Sequence, residues 1–591
     1  MITDDLSALV RQAVLEARDA GELPLSTDSF AVNLETPNNK AHGDYSSNIA
    51  LTLKKATGLN DSRDIAHRIL RHLPASHPLI ARVEVAGPGF MNFYLKPDWL
   101  HDTLVKIEAE DTGYGTGTAR QGEKILIEFV SANPTGPISV VNGRAAALGD
   151  VLGNLLAAQG AGVGREFYVN DALNSLQLEK FAQSVTIRYL QQLGHPVLVP
   201  AANDDEADTT EPGVAQAGEK PLVHFPKDGY RGEYVKDIAK AIVAEVGDRY
   251  ENAPEAERAP FFRKATLERI VAAQRAALEA FGIVYDEWFY ESRLYDDGEV
   301  DNAIALLRER GYTYEKDGAL WLKSTAFGDD KDRVLVRSNE KATYVAADAA
   351  YHANKFRRGY THLIDIWGAD HHGYVSRLKA GVAALGYDPK DLEIILTQMV
   401  SLVREGEAVI GGKRKGNVIE LKEDLIDEIG KDAARFYFLL NSYETPATVD
   451  VELAKKQSNE NPVYYVQYAH ARLCNILRRA EEQGVALQPA QAVNRSLLAH
   501  PAELDVLRKL ADYPQEVAIA AKDYAPHRLT RYAMDLASLL NIFYENCRVL
   551  PGKDDPVATD LTTARLALVN GARIVLRNLL GLLGVSAPEK M

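Results

Sequence analysis

The sequence contains very little cysteine, and this shortage excludes several classes of protein. Two cysteines, Cys474 and Cys547, occur among 591 residues. Two thiols cannot build the disulfide framework of a small secreted domain or a four-cysteine zinc cluster. We therefore expect a cytoplasmic protein without a tightly bound metal.

Long apolar runs and an excess of positive charge are also missing. The longest apolar stretches are too short to span a bilayer, so no membrane partner is expected. The opening residues are acidic and amphipathic, without the basic flank of a signal peptide. A formal net charge of −16 argues against general, nonspecific binding of nucleic acid, although a shaped RNA could still meet local basic patches.

The pattern along the chain predicts three domains. Residues 1–115 are predicted to be α/β, with a pair of strands on either side of a turn at 87–89. A Gly/Thr-rich stretch, 109–122, is predicted to be a linker. Residues 116–455 are predicted to form a second α/β domain with an insertion at about 175–280. The apolar spacing over 456–591 is helical, which predicts an all-α bundle.

The most informative stretch combines a strand, a turn and a helix. Residues 124–130 are apolar and predicted to form a buried strand, a polar turn follows, and an Ala-rich helix begins near residue 140. Free N–H groups at such a helix start attract phosphate. Glu128, Ser131 and Asn133 flank the turn and suit a substrate with an ammonium group. Ordinary turn chemistry explains the same residues equally well.

A second group of polar residues has helical spacing. Tyr344, Asp348 and His352 follow one another at intervals of four, which places them on one face of a helix. An Asp one turn from a Tyr could recognise a guanidinium group. The alternative is a solvated polar stripe on an amphipathic helix.

A third group follows a predicted buried strand that ends at Gly368. Asp370, His371 and His372 come next, at the carboxyl end where α/β folds place their sites. A His pair could bind a metal, but a third ligand at zincin spacing is missing. Contact with ATP or substrate is the better interpretation.

A fourth group is the basic, Gly-rich loop over 411–416. Flexible glycine backbone and cations suit a loop that closes on phosphates. The spacing is not that of a Walker A loop. A basic surface turn is the alternative.

Taken together and in order, these segments resemble the bacterial-type arginyl-tRNA synthetases over nearly the whole chain. The N-terminal part carries GDYSSNIAL and VAGPGFMNFYL, the central part SANPTGP, TYVAADAAYH and GADHHGYVSRLKAG, and the C-terminal part NPVYYVQYAHAR. The resemblance implies a class I catalytic domain with a Rossmann-type parallel sheet. It also implies an N-terminal α/β domain that touches tRNA and a C-terminal all-α bundle that binds the anticodon.

The resemblance implies an arginine–tRNA ligase. Such an enzyme uses ATP, with Mg²⁺, to convert L-arginine into arginyl-adenylate, and transfers the arginyl group to the 3′ end of arginine tRNA. A monomer is expected. Two other functions remain open: an inactive relative that binds tRNA or arginine, and an enzyme that activates arginine for a non-ribosomal product.

The resemblance also assigns roles to residues. The arginine site comprises Glu128, Ser131, Asn133, Tyr344, Asp348 and His371. The ATP site comprises Pro137, Ser139, Val141, Asn142, Lys413 and Arg414, of which Ser139, Asn142 and Lys413 are the catalytic candidates. The tRNA contacts are Tyr464, Gln467, Tyr468 and Arg472, for which packing between domains is an equally open role.

Two signatures of the family are altered in this chain. Residues 139–142 read Ser-Val-Val-Asn where the family has His-x-Gly-His, and 410–413 read Ile-Gly-Gly-Lys where it has Lys-Met-Ser-Lys. Ser139 and Asn142 can donate hydrogen bonds but cannot carry positive charge. Loss of one such donor typically raises the barrier by about 3–4 kcal/mol. The candidates for a replacement cation are Lys124, Arg144 and Arg414.

Overall fold

The computed structural model of the protein describes residues 2–35, 37, 39–96, 98–172, 175–199, 220–409, 418–552 and 557–591. In chain order its helices are α1 (Ile2–Asp19), α2 (Ile49–Thr57), α3 (Ser62–Arg71), α4 (Asp98–Glu110), α5 (Val140–Ala158), α6 (Leu176–Gln192), α7 (Glu233–Val246), α8 (Glu255–Ala280), α9 (Ser292–Asp296), α10 (Glu299–Glu309), α11 (Tyr344–Arg357), α12 (Val375–Ala384), α13 (Asp427–Ile429), α14 (Lys431–Phe438), α15 (Val451–Lys455), α16 (Pro462–Glu482), α17 (Pro501–Lys522), α18 (His527–Asn546) and α19 (Thr559–Leu582). Its strands are β1 (Leu34–Glu35), β2 (Tyr45–Ser47), β3 (Ile80–Ala86), β4 (Phe90–Leu95), β5 (Lys124–Phe129), β6 (Gly162–Val169), β7 (Val197–Leu198), β8 (Val223–His224), β9 (Glu287–Tyr290), β10 (Thr313–Lys316), β11 (Ala319–Leu322), β12 (Arg333–Val336), β13 (His362–Gly368), β14 (Leu392–Thr397), β15 (Val400–Arg404), β16 (Glu407–Val409) and β17 (Ala447–Asp450).

A five-stranded parallel sheet forms the centre of the molecule. Its strand order is β9-β6-β5-β13-β14, and every neighbouring pair is parallel. This is the order of the first five strands of a Rossmann fold, so the predicted fold class is confirmed. The chain order reverses between β5 and β13, and ligands bind in the crevice at the carboxyl ends of such a pair. The two strands predicted from the sequence at this crevice, β5 and β13, are both confirmed.

Helix α5 is fixed against the strand that precedes it. The helix is buried on nearly all sides, as its Ala-rich, Gly-rich sequence allows. At Gly149 an added Cβ would lie 2.3 Å from Cγ of Phe129, so only glycine permits this close approach. The contact sets where the first turn of α5 meets the crevice.

The N-terminal part has its own sheet and core. Its antiparallel sheet has the order β1-β2-β4-β3, and the predicted strand pair β3–β4 is confirmed. Apolar residues of α1, α2 and α3 pack against this sheet and form a core that ends at Leu95. Helix α4 packs instead on α17 and α19 of the C-terminal part. The domain limits drawn from the sequence remain predictions.

Smaller sheets extend the central part. Strands β10, β11 and β12 form an antiparallel sheet beside α10 and α11, and β16-β15-β17 form another after the central sheet. Strands β7 and β8 pair near the helices α6, α7 and α8 of the predicted insertion.

Helices α16 to α19 form the C-terminal bundle that the apolar spacing predicts. The core of this bundle is continuous with the core around the parallel sheet. Within the described parts of the chain, no helix combines the length and the apolar character needed to cross a membrane.

The Gly/Thr-rich stretch predicted to be a linker is packed against the bundle. Tyr114 is 3% exposed, and its hydroxyl donates to the carbonyl oxygen of Leu510 at 2.9 Å. Asn578 Nδ2 donates to the carbonyl oxygen of Asp111 at 2.7 Å. Composition alone cannot reveal these contacts, because they join residues 396 and 467 positions apart in the chain.

Gly115 is the residue on which this packing depends. Its φ is +103°, and an added Cβ would lie 2.4 Å from Cε1 of the buried Tyr513. We expect Gly115→Ala to destabilise the protein by about 2–4 kcal/mol, through a disfavoured φ and a clash in the core. Urea unfolding followed by tryptophan fluorescence measures the change.

Gly122 provides the matched control. It also has a positive φ, +89°, but an added Cβ there meets no atom within 4 Å. Gly122→Ala should therefore cost only about 1 kcal/mol, the backbone part of the effect. Equal destabilisation by the two variants would contradict the packed arrangement.

Candidate active site

The turn after β5 has an unusual backbone that the structure holds in place. Val130 and Ser131 have φ values of +71° and +37°, which a β-branched or other non-glycine residue rarely adopts. Ser131 Oγ donates to Glu128 Oε1 at 2.8 Å and accepts from the N–H of Tyr168 at 3.1 Å. Backbone strain of this kind concentrates at functional sites, where surrounding contacts maintain it.

Side chains of the insertion hold the same turn from outside. Gln274 Nε2 on α8 donates to the carbonyl oxygens of Asn133 and Gly136, at 3.1 and 2.8 Å. Tyr234 on α7 donates to the carbonyl oxygen of Thr135 at 3.0 Å. The side chain of Asn133 is exposed and donates to Gln177 at 3.0 Å. The insertion therefore helps to shape the crevice.

One buried lysine connects the two strands at the switch point. Glu128 on β5 and Asp365 on β13 lie opposite each other in the parallel register. Lys355 on α11 is fully buried, and its Nζ lies 2.6 Å from Glu128 Oε2 and 2.9 Å from Asp365 Oδ1. The ammonium group compensates two carboxylates that would otherwise repel each other in a buried place.

His352 extends this charged group. Its Nε2 lies 2.7 Å from Asp365 Oδ2, and its Nδ1 lies 2.7 Å from the carbonyl oxygen of Asp348. Both partner atoms are hydrogen-bond acceptors. Burial alone would raise the pKa of Asp365, but the positive charges of Lys355 and His352 outweigh burial and lower it.

Two further carboxyl groups, those of Glu291 and Asp348, form no ion pair with another described residue. Glu291 follows β9, is 2% exposed, and its Oε2 has no hydrogen-bond partner among the described residues. Burial, and then the charges of Asp348 and Asp171, raise its pKa to about 7. Burial also raises the pKa of Asp348, which accepts a hydrogen bond from Tyr374. Such a pair suits a cation, and the planar fork of a guanidinium suits it best.

Two predicted arginine-site residues lie at the mouth of the crevice. Tyr344 begins the confirmed helix α11 and is 56% exposed. His371 lies in a short turn after β13, with a side chain 60% exposed and a ring centroid 6.1 Å from that of Trp367. The described contacts do not join His371 to the two carboxyl groups, so its role remains a prediction.

The altered signature at the start of α5 pairs with another segment. The N–H of Val140 donates to the carbonyl oxygen of Ile419 at 3.0 Å, and the N–H of Leu421 donates to that of Ile138 at 2.8 Å. Pro137 directly precedes this pairing. Residues 418–421 follow the predicted phosphate loop, whose Lys413 and Arg414 lie outside the described residues. The segment that follows the predicted phosphate loop is therefore hydrogen-bonded to the residues of the altered signature.

Ser139 and Asn142 interact with each other at the start of α5. Both the backbone N–H and the hydroxyl of Ser139 donate to Asn142 Oδ1, at 3.2 and 2.8 Å. Val141, between them, is 46% exposed. The two predicted catalytic side chains therefore form one capped helix start.

Two candidate replacement cations lie elsewhere. Arg144 is 2% exposed and donates to the carbonyl oxygens of Gln398 and Ser442, at 3.1 and 2.8 Å. Its guanidinium is thus used in packing. Lys124 is the first residue of β5 and lies at the opposite end of the strand from the crevice. The third candidate, Arg414, lies outside the described residues.

The four predicted tRNA contacts share helix α16. The rings of Tyr464 and Tyr468 stack at 6.0 Å, and the Arg472 guanidinium lies 4.1 Å from the ring centroid of Tyr544. Gln467 is buried, and its Nε2 donates to Asp432 and to the carbonyl oxygen of Ser586, both at 3.0 Å. Gln467 therefore joins α14 to the C-terminal residues, and tRNA contact by these four side chains remains a prediction.

Sequence reasoning missed Glu291, Lys355 and Asp365 as parts of the site. Two signals were available. Asp365 interrupts an otherwise apolar strand, and Glu291 directly follows the aromatic end of β9. Lys355 gave no such signal, because its partners lie on two separate strands.

The described residues contain no group of three His, Cys, Asp or Glu side chains arranged to hold a metal ion. The carboxyl groups of Glu291 and Asp348 suit a cationic substrate, and they lie in the same crevice as a helix N-terminus that can receive a nucleotide.

Comparison with protein families agrees with this arrangement. Residues 4–95 match the arginyl tRNA synthetase N-terminal domain, residues 220–469 match the catalytic domain of tRNA synthetases class I (R), and residues 466–591 match the DALR anticodon binding domain.

Two curated relatives and a solved structure match this chain over nearly its full length. An arginine–tRNA ligase of Moorella thermoacetica is 47% identical over 99% of this chain and 98% of its own length, and one of Carboxydothermus hydrogenoformans is 46% identical over 100% and 99%. The arginyl-tRNA synthetase structure of Thermus thermophilus, 21% identical, has the same fold, with a TM-score of 0.72 over 100% of both chains. The chain belongs to the arginyl-tRNA synthetase family, the arginine–tRNA ligases of class I.

Proposed function

We propose that this chain activates L-arginine with ATP and transfers the arginyl group to the 3′ end of arginine tRNA. The observation that carries the proposal is the pair of carboxyl groups Glu291 and Asp348. Glu291 is buried and Asp348 is half-buried, burial raises the pKa of each, and one Glu291 oxygen is unpartnered among the described residues. A guanidinium group supplies the positive charge and the paired donors that these groups need.

In this arrangement arginine lies with its guanidinium between Asp348 and Glu291. Its ammonium end points to the turn after β5, near Glu128, Ser131 and Asn133. Glu128 already accepts from Lys355 and Ser131, and a carboxylate has lone pairs left for a further donor. The guanidinium and ammonium contacts together fix where the substrate carboxylate points.

The reaction is mainly a matter of positioning. The arginine carboxylate oxygen forms a bond to the α-phosphorus of ATP, the bond to pyrophosphate breaks, and arginyl-adenylate results. A hydroxyl of the terminal tRNA ribose then attacks the arginyl carbonyl carbon, and AMP leaves. The start of α5, with Pro137, Ser139, Val141 and Asn142, receives the nucleotide.

Magnesium would enter with ATP, bound to its phosphate oxygens, and would neutralise their charge. We assign no protein ligands to it. The nucleotide contacts of Lys413 and Arg414 are part of the proposal and rest on the family resemblance alone. We also propose that the protein acts as a cytoplasmic monomer, which sedimentation analysis checks.

Charging of arginine tRNA tests the proposal directly. With labelled L-arginine, ATP and arginine tRNA, the purified protein should form arginyl-tRNA. Asp348→Asn should lower the arginine kcat/KM at least about hundredfold, because the buried site loses a charge-assisted partner of the guanidinium. This variant, purified in parallel, also excludes charging by a contaminating host enzyme.

The same assay separates the other functions. Binding of tRNA without charging or pyrophosphate exchange at any tRNA concentration would indicate an inactive relative. Adenylate formation that requires no tRNA and leads to no charging would indicate a non-ribosomal enzyme. Either result would contradict the proposal.

The pKa of Glu291 gives arginine binding a pH dependence. Glu291 must be ionised to receive the guanidinium, and its pKa in the free protein is about 7. Protons compete with arginine below that pH, so affinity should fall about tenfold between pH 8 and pH 6. Calorimetric titration with L-arginine across this range measures the change.

Glu291→Gln is the control for this effect. The amide keeps the shape of the side chain but cannot titrate. The variant should bind arginine more weakly at pH 8 and lose most of the pH dependence. An unchanged pH profile in Glu291→Gln would assign the effect to another group and remove Glu291 from the arginine site.

A further inference from the structure

The contact between Ser139 and Asn142 shows which of the two side chains can reach ATP. These residues stand where the family has its two signature histidines, and in this chain they bind each other across the first turn of α5. The geometry of that contact fixes the orientation of the Asn142 amide and gives the two residues different roles.

The backbone of Ser139 determines the amide orientation. Its N–H can only donate, and it lies 3.2 Å from the Asn142 side chain. The atom facing it must therefore be the acceptor, Oδ1. The reverse orientation would place the NH₂ group against another donor. Nδ2 consequently points away from Ser139.

The Asn142 NH₂ group is available for a ligand. The side chain is half-buried, and Nδ2 has no hydrogen-bond partner among the described residues. It lies in the first turn of α5, beside the exposed Val141, where the partial positive charge of the helix N-terminus favours phosphate. An oriented NH₂ group at this place donates without having to reorganise first.

The hydroxyl of Ser139 is used differently. It donates its one proton to Asn142 Oδ1 at 2.8 Å, so that proton is not free for a phosphate. Because the N–H and the hydroxyl of Ser139 both donate to Asn142 Oδ1, they restrict rotation of the Asn142 amide about its Cβ–Cγ bond. Ser139 therefore acts on the nucleotide through Asn142.

We propose that Asn142 Nδ2 is the side-chain donor that contacts ATP at the altered signature, and that Ser139 is a positioning residue that orients it. This inference rests on the proposed function, because it assumes that ATP binds at the start of α5. The sequence assigned contact with ATP to both residues. The inference assigns direct contact to Asn142 and the orientation of Asn142 to Ser139.

A double-mutant cycle tests the division. Asn142→Ala removes the donor and should lower kcat for arginine charging by about 10²–10³-fold. Ser139→Ala removes the hydroxyl and should lower kcat about tenfold in the parent. In the Asn142→Ala background it should have less than a twofold effect, since no amide remains to be oriented. Ser139→Thr keeps the hydroxyl and should retain most of the activity.

Two control measurements separate this effect from damage to the fold. The dissociation constant for L-arginine should be nearly unchanged in each variant, because the arginine site lies at the ends of β5 and β9. The thermal unfolding midpoint should fall only slightly, since one helix cap is lost. The loss should appear in kcat and in the KM for ATP, which a general loss of stability would not single out.

The inference is overturned if the effects of Ser139→Ala and Asn142→Ala multiply, because each residue then contacts ATP independently. It is also overturned if Asn142→Ala charges tRNA within threefold of the parent. Failure of the parent protein to charge tRNA at all would instead refute the proposed function, so the two failures are distinguishable.

Discussion

The buried ammonium group of Lys355 is the contact on which the site depends. It lies between Glu128 and Asp365, two carboxylates that the parallel register of β5 and β13 places opposite each other. Removing one partner of such a buried group typically costs about 3–5 kcal/mol, because the remaining charges lose their compensation. The lysine therefore compensates one carboxylate on each of the two strands between which a Rossmann fold opens its crevice.

Other parts of the site follow from that arrangement. Glu128, held by Lys355, in turn accepts from Ser131, and Ser131 keeps the strained turn in its left-handed conformation. Insertion helices hold the outside of the turn through Gln274 and Tyr234. On the opposite side, α11 carries both Lys355 and Asp348, so the helix whose lysine compensates the two sheet carboxylates also carries a carboxylate of the proposed arginine site.

The sequence was sufficient to predict the elements that follow from local periodicity, and to predict the family from the resemblance of its motifs. The strands β5 and β13, the helices α5 and α11, the helical bundle and the family were all predicted and confirmed. The contacts that the sequence could not predict join residues that are distant in the chain. Lys355 joins residues on two strands, Glu291 is distinguished only by its burial, and Tyr114 packs on a helix nearly 400 residues later. Periodicity carries no information about such contacts.

The altered signature is the place where sequence and structure complement each other. The sequence shows that two histidines are replaced, and the structure shows that the replacements form a single unit at the start of α5. Neither residue can supply positive charge, so the proposed nucleotide site depends more on the helix N-terminus and on oriented neutral donors. The proposed arginine site is therefore strongly charged, whereas the altered signature at the proposed ATP site is neutral.

The most direct measurement is a crystal structure of the protein with a non-hydrolysable analogue of arginyl-adenylate. The account predicts the guanidinium between Asp348 and Glu291, with nitrogen–oxygen distances of about 3 Å, and the adenylate phosphate at the start of α5 beside Asn142. A guanidinium bound away from these two carboxylates, with Glu291 left unpartnered, would contradict it.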